Sequence, residues 1–227
     1  MTMTLATTPR PELDPLLQSG VIAVVRVSEP IRLGPAARAL AAGGVGAVEV
    51  TLTTPGAIDA IADLASDKGL AGCVIGAGTV LDESAARHVI DAGARFVVSP
   101  ALNPAVIRVC RDREVPCMPG AFTPTEILEA WRAGAPVVKL FPASTVGPRY
   151  IRDLLAPLPF LRLVPSGGVT LENAGDWIRA GAAAVSVGSA LASAALLADD
   201  ATAELTARAR SFVKRVAQAR RYSGNAP

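Results

Sequence analysis

The sequence predicts an α/β protein in which eight strand–helix units close into a (β/α)8 TIM barrel, with a short N-terminal lead-in and a C-terminal helical tail. Three observations support this. Four segments begin alike: "AGGVGAVEVT" at Ala42, "AGARFVVSP" at Ala92, "AGAPVVKLFP" at Ala133 and "AGAAAVSVGS" at Ala180. In each, Ala-Gly closes a helix-like stretch, glycine supplying the left-handed turn that stops a helix, and a β-branched run follows. The starts lie roughly 40 to 50 residues apart, which is room for two βα units each. Between them fall the remaining strands, apolar runs that end in glycine.

In chain order the strands are "VIAVVRV" from Val21, "AVEVT" from Ala47, "GCVIGAGT" from Gly72 and "FVVSP" from Phe96. "VPCMPG" from Val115, "VVKLF" from Val137, "LRLVPSGG" from Leu161 and "AVSVGS" from Ala184 follow. Alanine-rich helical stretches separate them: "PAARALAA", "AIDAIADLA", "ESAARHVIDA", "PAVIRVCRD", "TPTEILEAWRA", "RYIRDLLA" and "LENAGDWIRA". The competing architecture, an open doubly wound sheet, calls for a dinucleotide loop after an early strand. "GGVGAV" precedes a strand and fails that context. The whole of 1–227 reads as one domain, with the barrel over about 20–198 and a terminal helix over about 200–221, in "DDATAELTARARSFVKRVAQARR". "MTMTLATTPR" has no apolar core of a signal peptide and reads as a flexible lead-in.

Composition narrows the function classes. Half the residues are hydrophobic (51%) and 19% are charged, enough for one sizeable core. The net charge of +2 and the scarcity of aromatics give no nucleic-acid surface. No apolar stretch is long enough for a bilayer, so no membrane is expected. Cys73, Cys110 and Cys117 have no CxxC spacing and the lone His88 completes no zinc set, so no metal is expected and a cytoplasmic location is.

One residue breaks the apolar pattern. Lys139 stands inside "VVKLFP", although a lysine loses hydration in a buried strand. Strand alternation puts Val137, Lys139 and Phe141 on one face, Val138 and Leu140 on the other. The all-apolar face should meet the helices, turning Lys139 to the barrel axis. By the same rule Val48 and Val50 face helices while Glu49 and Thr51 face inward. The second and sixth strands lie opposite in an eight-stranded barrel and share interior layers, so Lys139 and Glu49 converge near the carboxyl ends where barrel enzymes work. Desolvating a lysine favours its neutral amine, which can attack a carbonyl, and a carboxylate beside it can move the protons. Lys139 thus reads as a Schiff-base nucleophile and Glu49 as its acid–base. The alternative is a structural ion pair filling the barrel end.

Other strand ends are also suggestive. Ser166, Gly167 and Gly168 after the seventh strand, and Gly188 and Ser189 after the eighth, suit a phosphate held by backbone N–H groups; the alternative is two tight turns. Arg26, ending the first strand, can clamp a carboxylate or simply neutralise Glu49. Thr79, Pro100 and Phe141 fall where they can line the pocket. His88 reads as solvent-facing, Cys117 as core or pocket wall, and Trp131 and Trp177 as packing residues.

"VEVTLTTP", "IGAGTVL", "VVSPALNP", "PGAFTPTE", "VVKLFPAS" and "PSGGVT", in this order, resemble the 2-keto-3-deoxy-6-phosphogluconate (KDPG) / 4-hydroxy-2-oxoglutarate (KHG) aldolase family over roughly 21–191. The resemblance implies a class I aldolase on a (β/α)8 barrel, usually a homotrimer. It implies no cofactor beyond the covalent Schiff base on Lys139, and small keto acids and phosphosugar acids as its partners. Motif by motif, it makes Lys139 the Schiff-base residue and Glu49 the acid–base. Thr79, Pro100 and Phe141 then surround the pyruvyl portion, and Ser166, Gly167, Gly168, Gly188 and Ser189 hold phosphate. The implied reaction cleaves a phosphorylated 2-keto-3-deoxy sugar acid to pyruvate and glyceraldehyde 3-phosphate, and also 4-hydroxy-2-oxoglutarate to pyruvate and glyoxylate. Gluconate-type members commonly carry arginine where Thr53 stands. The 2-dehydro-3-deoxy-6-phosphogalactonate aldolases resemble this chain in lacking it while keeping an arginine like Arg26, which favours Arg26 as the carboxylate partner. Phe122 stands where a smaller residue is frequent and is expected to reshape the mouth. A phosphosugar isomerase or epimerase and a catalytically silent phosphoester-binding barrel are the competing readings.

Overall fold

β-Branched and small residues form eight short staves: β1 Val21–Val25, β2 Ala47–Thr51, β3 Val74–Gly78, β4 Val97–Val98, β5 Cys117–Met118 with β6 Gly120–Ala121, β7 Val138–Leu140, β8 Leu163–Pro165 and β9 Val185–Val187. The computed structural model describes residues 13–29, 32–198 and 201–223. The first ten residues, read above as a lead-in, lie outside the described residues.

β5 and β6 are one stave interrupted at Pro119, which has no N–H to give a ladder. β5 pairs with β4, and β6 pairs with β7, while Lys139 N donates to the Pro119 carbonyl. All strand pairs are parallel, in the orders β5-β4-β3-β2-β1-β9 and β6-β7-β8. A parallel bridge between Ser166 and Ser186 joins the ends of β8 and β9 and closes the ring. The open-sheet alternative is therefore excluded.

Helices α1 Leu13–Ser19, α2 Gly34–Ala42, α3 Ala57–Ser66, α4 Glu83–Asp91, α5 Pro104–Asp112, α6 Pro124–Arg132, α7 Pro148–Leu155, α8 Ala174–Arg179, α9 Ala194–Ala198 and α10 Thr202–Ser223 complete the chain. Three of the four repeat glycines end helices as expected: Gly93, Gly134 and Gly181 follow α4, α6 and α8 at φ of 100°, 101° and 105°, whereas after α2 Gly43 stays right-handed at φ −80° and Gly44 takes the left-handed conformation at φ 91°.

Two separate apolar clusters show which way each strand residue points. Val48, Val50, Val138, Leu140, Val185 and Val187 pack with the helices. Ile22, Ala47, Phe96, Val98, Met118, Val137, Val164 and Ala184 fill the barrel interior. Cys117 falls in the helix-facing cluster beside Cys110, so it is core and not pocket wall. Leu13 and Leu16 of α1 join the interior cluster, so the segment just before the barrel is a helix that plugs its amino-terminal end. At the outside, α10 lies against α2 and α8 and buries Leu205, Ala209, Phe212, Val216 and Ala219, a helical stripe.

Candidate active site

Alternation on β7 turns Lys139 inward, as expected, between helix-facing Val138 and Leu140. The same holds for Glu49 between Val48 and Val50 on β2. Lys139 is 7% exposed and Glu49 1%. The register rises in a regular way around the ring, with Ile22 beside both Ala47 and Ser186, and Lys139 beside Gly120 and Val164. Stepping two residues up for every second stave leads from Glu49 to Val98, to Lys139, to Ser186 and back to Glu49. These four form one interior layer, and within it Lys139 and Glu49 face each other.

Room for the carboxyl comes from glycine. A Cβ on Gly78 would overlap Glu49 Oε1, and one on Gly120 would strike the Pro100 backbone. Glu49 Oε2 has no hydrogen-bond partner among the described residues. Burial pushes the Glu49 carboxyl above its ordinary 4.5, and the charges of Lys139 and then Arg26 pull it partly back. Such a carboxyl is suited to accept and return a proton. Lys139 Nζ sits 4.9 Å from the centre of the Phe141 ring, a cation–π contact made by the next inward residue of the stave.

Above this layer a pocket of about 460 Å³ opens at the carboxyl ends of the strands. Lys139, Arg26, Thr79, Pro100, Phe141, Ser166, Gly167, Gly168, Gly188 and Ser189 all line it, together with Val24, Val169, Thr170 and Ser186. Of the residues assigned above to catalysis, substrate or phosphate, Glu49 alone does not reach its wall; it lies beneath. The charged lining residues are Lys139 and Arg26, both cationic, so the pocket favours an anion. Arg26 follows directly on β1, is exposed, and forms no hydrogen bond or ion pair with any described residue. Thr79 holds φ of 59°, an uncommon conformation for a β-branched residue, at the end of β3 where it meets the pocket.

On the opposite rim, Gly167 and Gly168 take successive left-handed conformations, φ 89° and 73°. The backbone N–H groups of Gly167, Gly168, Ser189 and Ala190 make no hydrogen bond to any described residue. Two loops thus present free donors to the same space, the arrangement of an anion cradle.

One expectation changes. Phe122 does not shape the mouth: its ring stacks on Tyr150 at 6.0 Å, and the Tyr150 hydroxyl donates to the Phe122 carbonyl at 2.7 Å. Thr53, where gluconate-type members carry arginine, does not line the pocket. It is exposed and its hydroxyl lies 2.9 Å from that of Thr51, beyond the end of β2. Thr54 Oγ1 accepts from Val27 N at 3.4 Å, tying that turn to the residue after Arg26. Sequence reasoning missed Ser186, although its place between Val185 and Val187 in "AVSVGS" carries the same parity signal as Glu49 and Lys139.

Fold and site together define a parallel α/β barrel with a cation-lined pocket at the carboxyl ends of its strands. The family model for KDPG and KHG aldolase matches residues 14–208, and the chain belongs to that family. It is an aldolase, a carbon–carbon lyase. The chain is 38% identical over 187 residues, 82% of its length and 88% of the relative's, to a probable 2-dehydro-3-deoxy-6-phosphogalactonate aldolase of Rhizobium meliloti (strain 1021). It is 40% identical over 159 residues, 70% and 73% of the two chains, to a 2-dehydro-3-deoxy-phosphogluconate aldolase of Treponema pallidum (strain Nichols). The KDPG aldolase from Legionella pneumophila, with pyruvate captured at low pH as a covalent carbinolamine intermediate, matches with a TM-score of 0.81 and 28% identity over 88% of this chain and 97% of that one.

Proposed function

We propose that this chain is a class I aldolase that cleaves a 2-keto-3-deoxy-6-phospho sugar acid to pyruvate and glyceraldehyde 3-phosphate through an imine on Lys139. The observation that carries this reading is the facing pair: a nearly buried lysine and a fully buried carboxyl in one interior layer, under a pocket lined by cations alone among charged groups.

The Lys139 amine attacks the substrate's keto carbon, and loss of water gives an iminium. Glu49 takes the proton of the C4 hydroxyl, the C3–C4 bond breaks, and its electron pair moves toward the iminium nitrogen. The aldehyde departs. Glu49 then returns its proton to C3 of the enamine, and hydrolysis frees pyruvate and the amine. Because the iminium is the electron sink, the reaction needs no metal or bound cofactor. The carbinolamine held by the Legionella relative is the first covalent species of this sequence.

Arg26 takes the substrate carboxylate, since it is a pocket-lining cation with no ion-pair partner among the described residues, on the stave next to Glu49. Thr79, Pro100 and Phe141 enclose the pyruvyl part. Phosphate lies on the free donors of Gly167, Gly168 and Ser189, with Ser166 and Gly188 completing the loops. The absence of arginine at Thr53 favours the 6-phosphogalactonate-type substrate as the alternative within the family; 4-hydroxy-2-oxoglutarate is a further substrate to be tested. The family resemblance supports a homotrimer and the dispersed cysteines a cytoplasmic setting; among the described residues no helix is long and apolar enough to cross a membrane.

Borohydride added with pyruvate should fix a pyruvate-derived mass on Lys139, and Lys139→Ala should neither gain it nor turn over substrate while keeping its circular dichroism. Wild-type protein that gains no mass would sink the imine. A panel of both phosphorylated epimers, their unphosphorylated forms and 4-hydroxy-2-oxoglutarate separates the substrates.

A further inference from the structure

Among the described residues three buried side-chain atoms have no hydrogen-bond partner: Glu49 Oε2, Trp177 Nε1 and Ser186 Oγ. Trp177 lies on α8 outside the pocket, and Glu49 is already accounted for. Ser186 is different. It is 1% exposed, yet it lines the same pocket as Lys139. A buried hydroxyl with no partner is costly to the free protein, and such groups persist where a ligand completes them.

Its neighbours define what it meets. Val185 and Val187 pack on helices, so Ser186 points inward. It stands in the interior layer of Glu49, Val98 and Lys139, with Val98 facing it across the barrel as Lys139 faces Glu49. A keto acid joined to Lys139 and reaching toward Glu49 has an apolar flank at Val98 and a hydroxyl flank at Ser186. The carbon bonded to Nζ carries three other groups. Its carboxylate is met by Arg26 at the mouth, and its C3 lies toward Glu49. The remaining group is the former keto oxygen.

We infer that Ser186 is a further substrate-contacting residue, its hydroxyl hydrogen-bonded to the oxygen on the carbon that joins Lys139 while the imine is made and hydrolysed. This rests on the imine reading of the site. As the nitrogen lone pair forms the C–N bond, the carbonyl π pair moves onto that oxygen, and Ser186 donates to it. The oxygen takes a proton and becomes the carbinolamine hydroxyl, to which Ser186 can donate or from which it can accept. A second proton arrives, the C–O bond breaks, and the oxygen leaves as water while the nitrogen pair forms C=N. Both protons come from the ammonium and carboxyl groups of the site, so the step needs no further reactant.

The test uses Ser186→Ala and Ser186→Thr in the full chain, mixed with pyruvate and quenched with borohydride over a time series. The rate of mass gain on Lys139 should fall about tenfold or more in Ser186→Ala. Its thermal midpoint should equal or exceed that of the wild type, because no hydrogen bond of the free protein is lost. Ser186→Thr, which restores the hydroxyl, should recover part of the rate. Trapping at the wild-type rate in Ser186→Ala overturns the inference alone, as does slower trapping that comes with lost stability, which marks a structural serine. Wild-type protein that traps nothing overturns the imine reading and this inference with it.

Discussion

Gly78 and Glu49 share one volume: a Cβ on Gly78 would overlap Glu49 Oε1. No left-handed conformation requires glycine at position 78, so the constraint there is the carboxyl itself. Gly78→Ala should displace Glu49 and overpack the layer. We expect a loss of about 1–3 kcal/mol in urea unfolding, together with slower exchange of pyruvate's methyl protons. Normal exchange in a stably folded Gly78→Ala would show that Glu49 need not sit where it does.

The buried carboxyl predicts a pH signature. Burial raises the Glu49 pKa above its ordinary 4.5. The folded protein thus holds that proton more tightly than the unfolded chain, so this group's contribution to stability is complete below 4.5 and is lost as pH rises through the folded-state value. Glu49→Gln, which carries no charge, should gain stability relative to wild type as pH rises from 4.5 through the folded-state value. Catalysis should move the other way. Methyl-proton exchange in the wild type should increase with pH through the same raised value, and Glu49→Gln should slow it by about two to four powers of ten. A stability difference that does not change with pH would mean the carboxyl is not desolvated.

Arg26 has no ion-pair partner among the described residues, and its removal should act on capture. Arg26→Met should lower kcat/KM by about tenfold to a hundredfold, mostly through KM, the range expected for losing hydrogen bonds to a charged group. Steady-state kinetics with the phosphorylated substrates test this, and unchanged KM would return Arg26 to a structural role.

The amino-terminal plug predicts stability without chemistry. Leu16 is 2% exposed and packs in the interior cluster with Ile22, Phe96 and Val164. Leu16→Ala should cost about 2–5 kcal/mol in urea unfolding and leave KM unchanged, since the pocket is at the other end. A neutral effect on stability would mean that α1 does not fill the barrel.

What could be read from the chain itself rests on local rules. The Ala-Gly repeats marked helix ends because Gly93, Gly134 and Gly181 need a left-handed turn that other residues resist. Period-two alternation turned Lys139 and Glu49 inward without knowledge of any neighbour, and eleven residues chosen at strand ends fall in or directly under one pocket. Other features have no local signature. Phe122 stacks on Tyr150 of α7, a partner 28 residues away in the chain, and does not line the pocket.

Amino-acid order alone determined which face of each strand is apolar and where each helix stops, hence the parallel α/β barrel and the inward lysine. Only the closed structure decided that Ser186 stands level with Lys139 and Glu49, that Glu49 lacks a partner for one oxygen, and that α1 fills the far end. The reason is the range of the forces involved. Alternation is a property of a few consecutive residues, whereas height inside a barrel depends on the hydrogen-bond stagger accumulated across every stave of the ring.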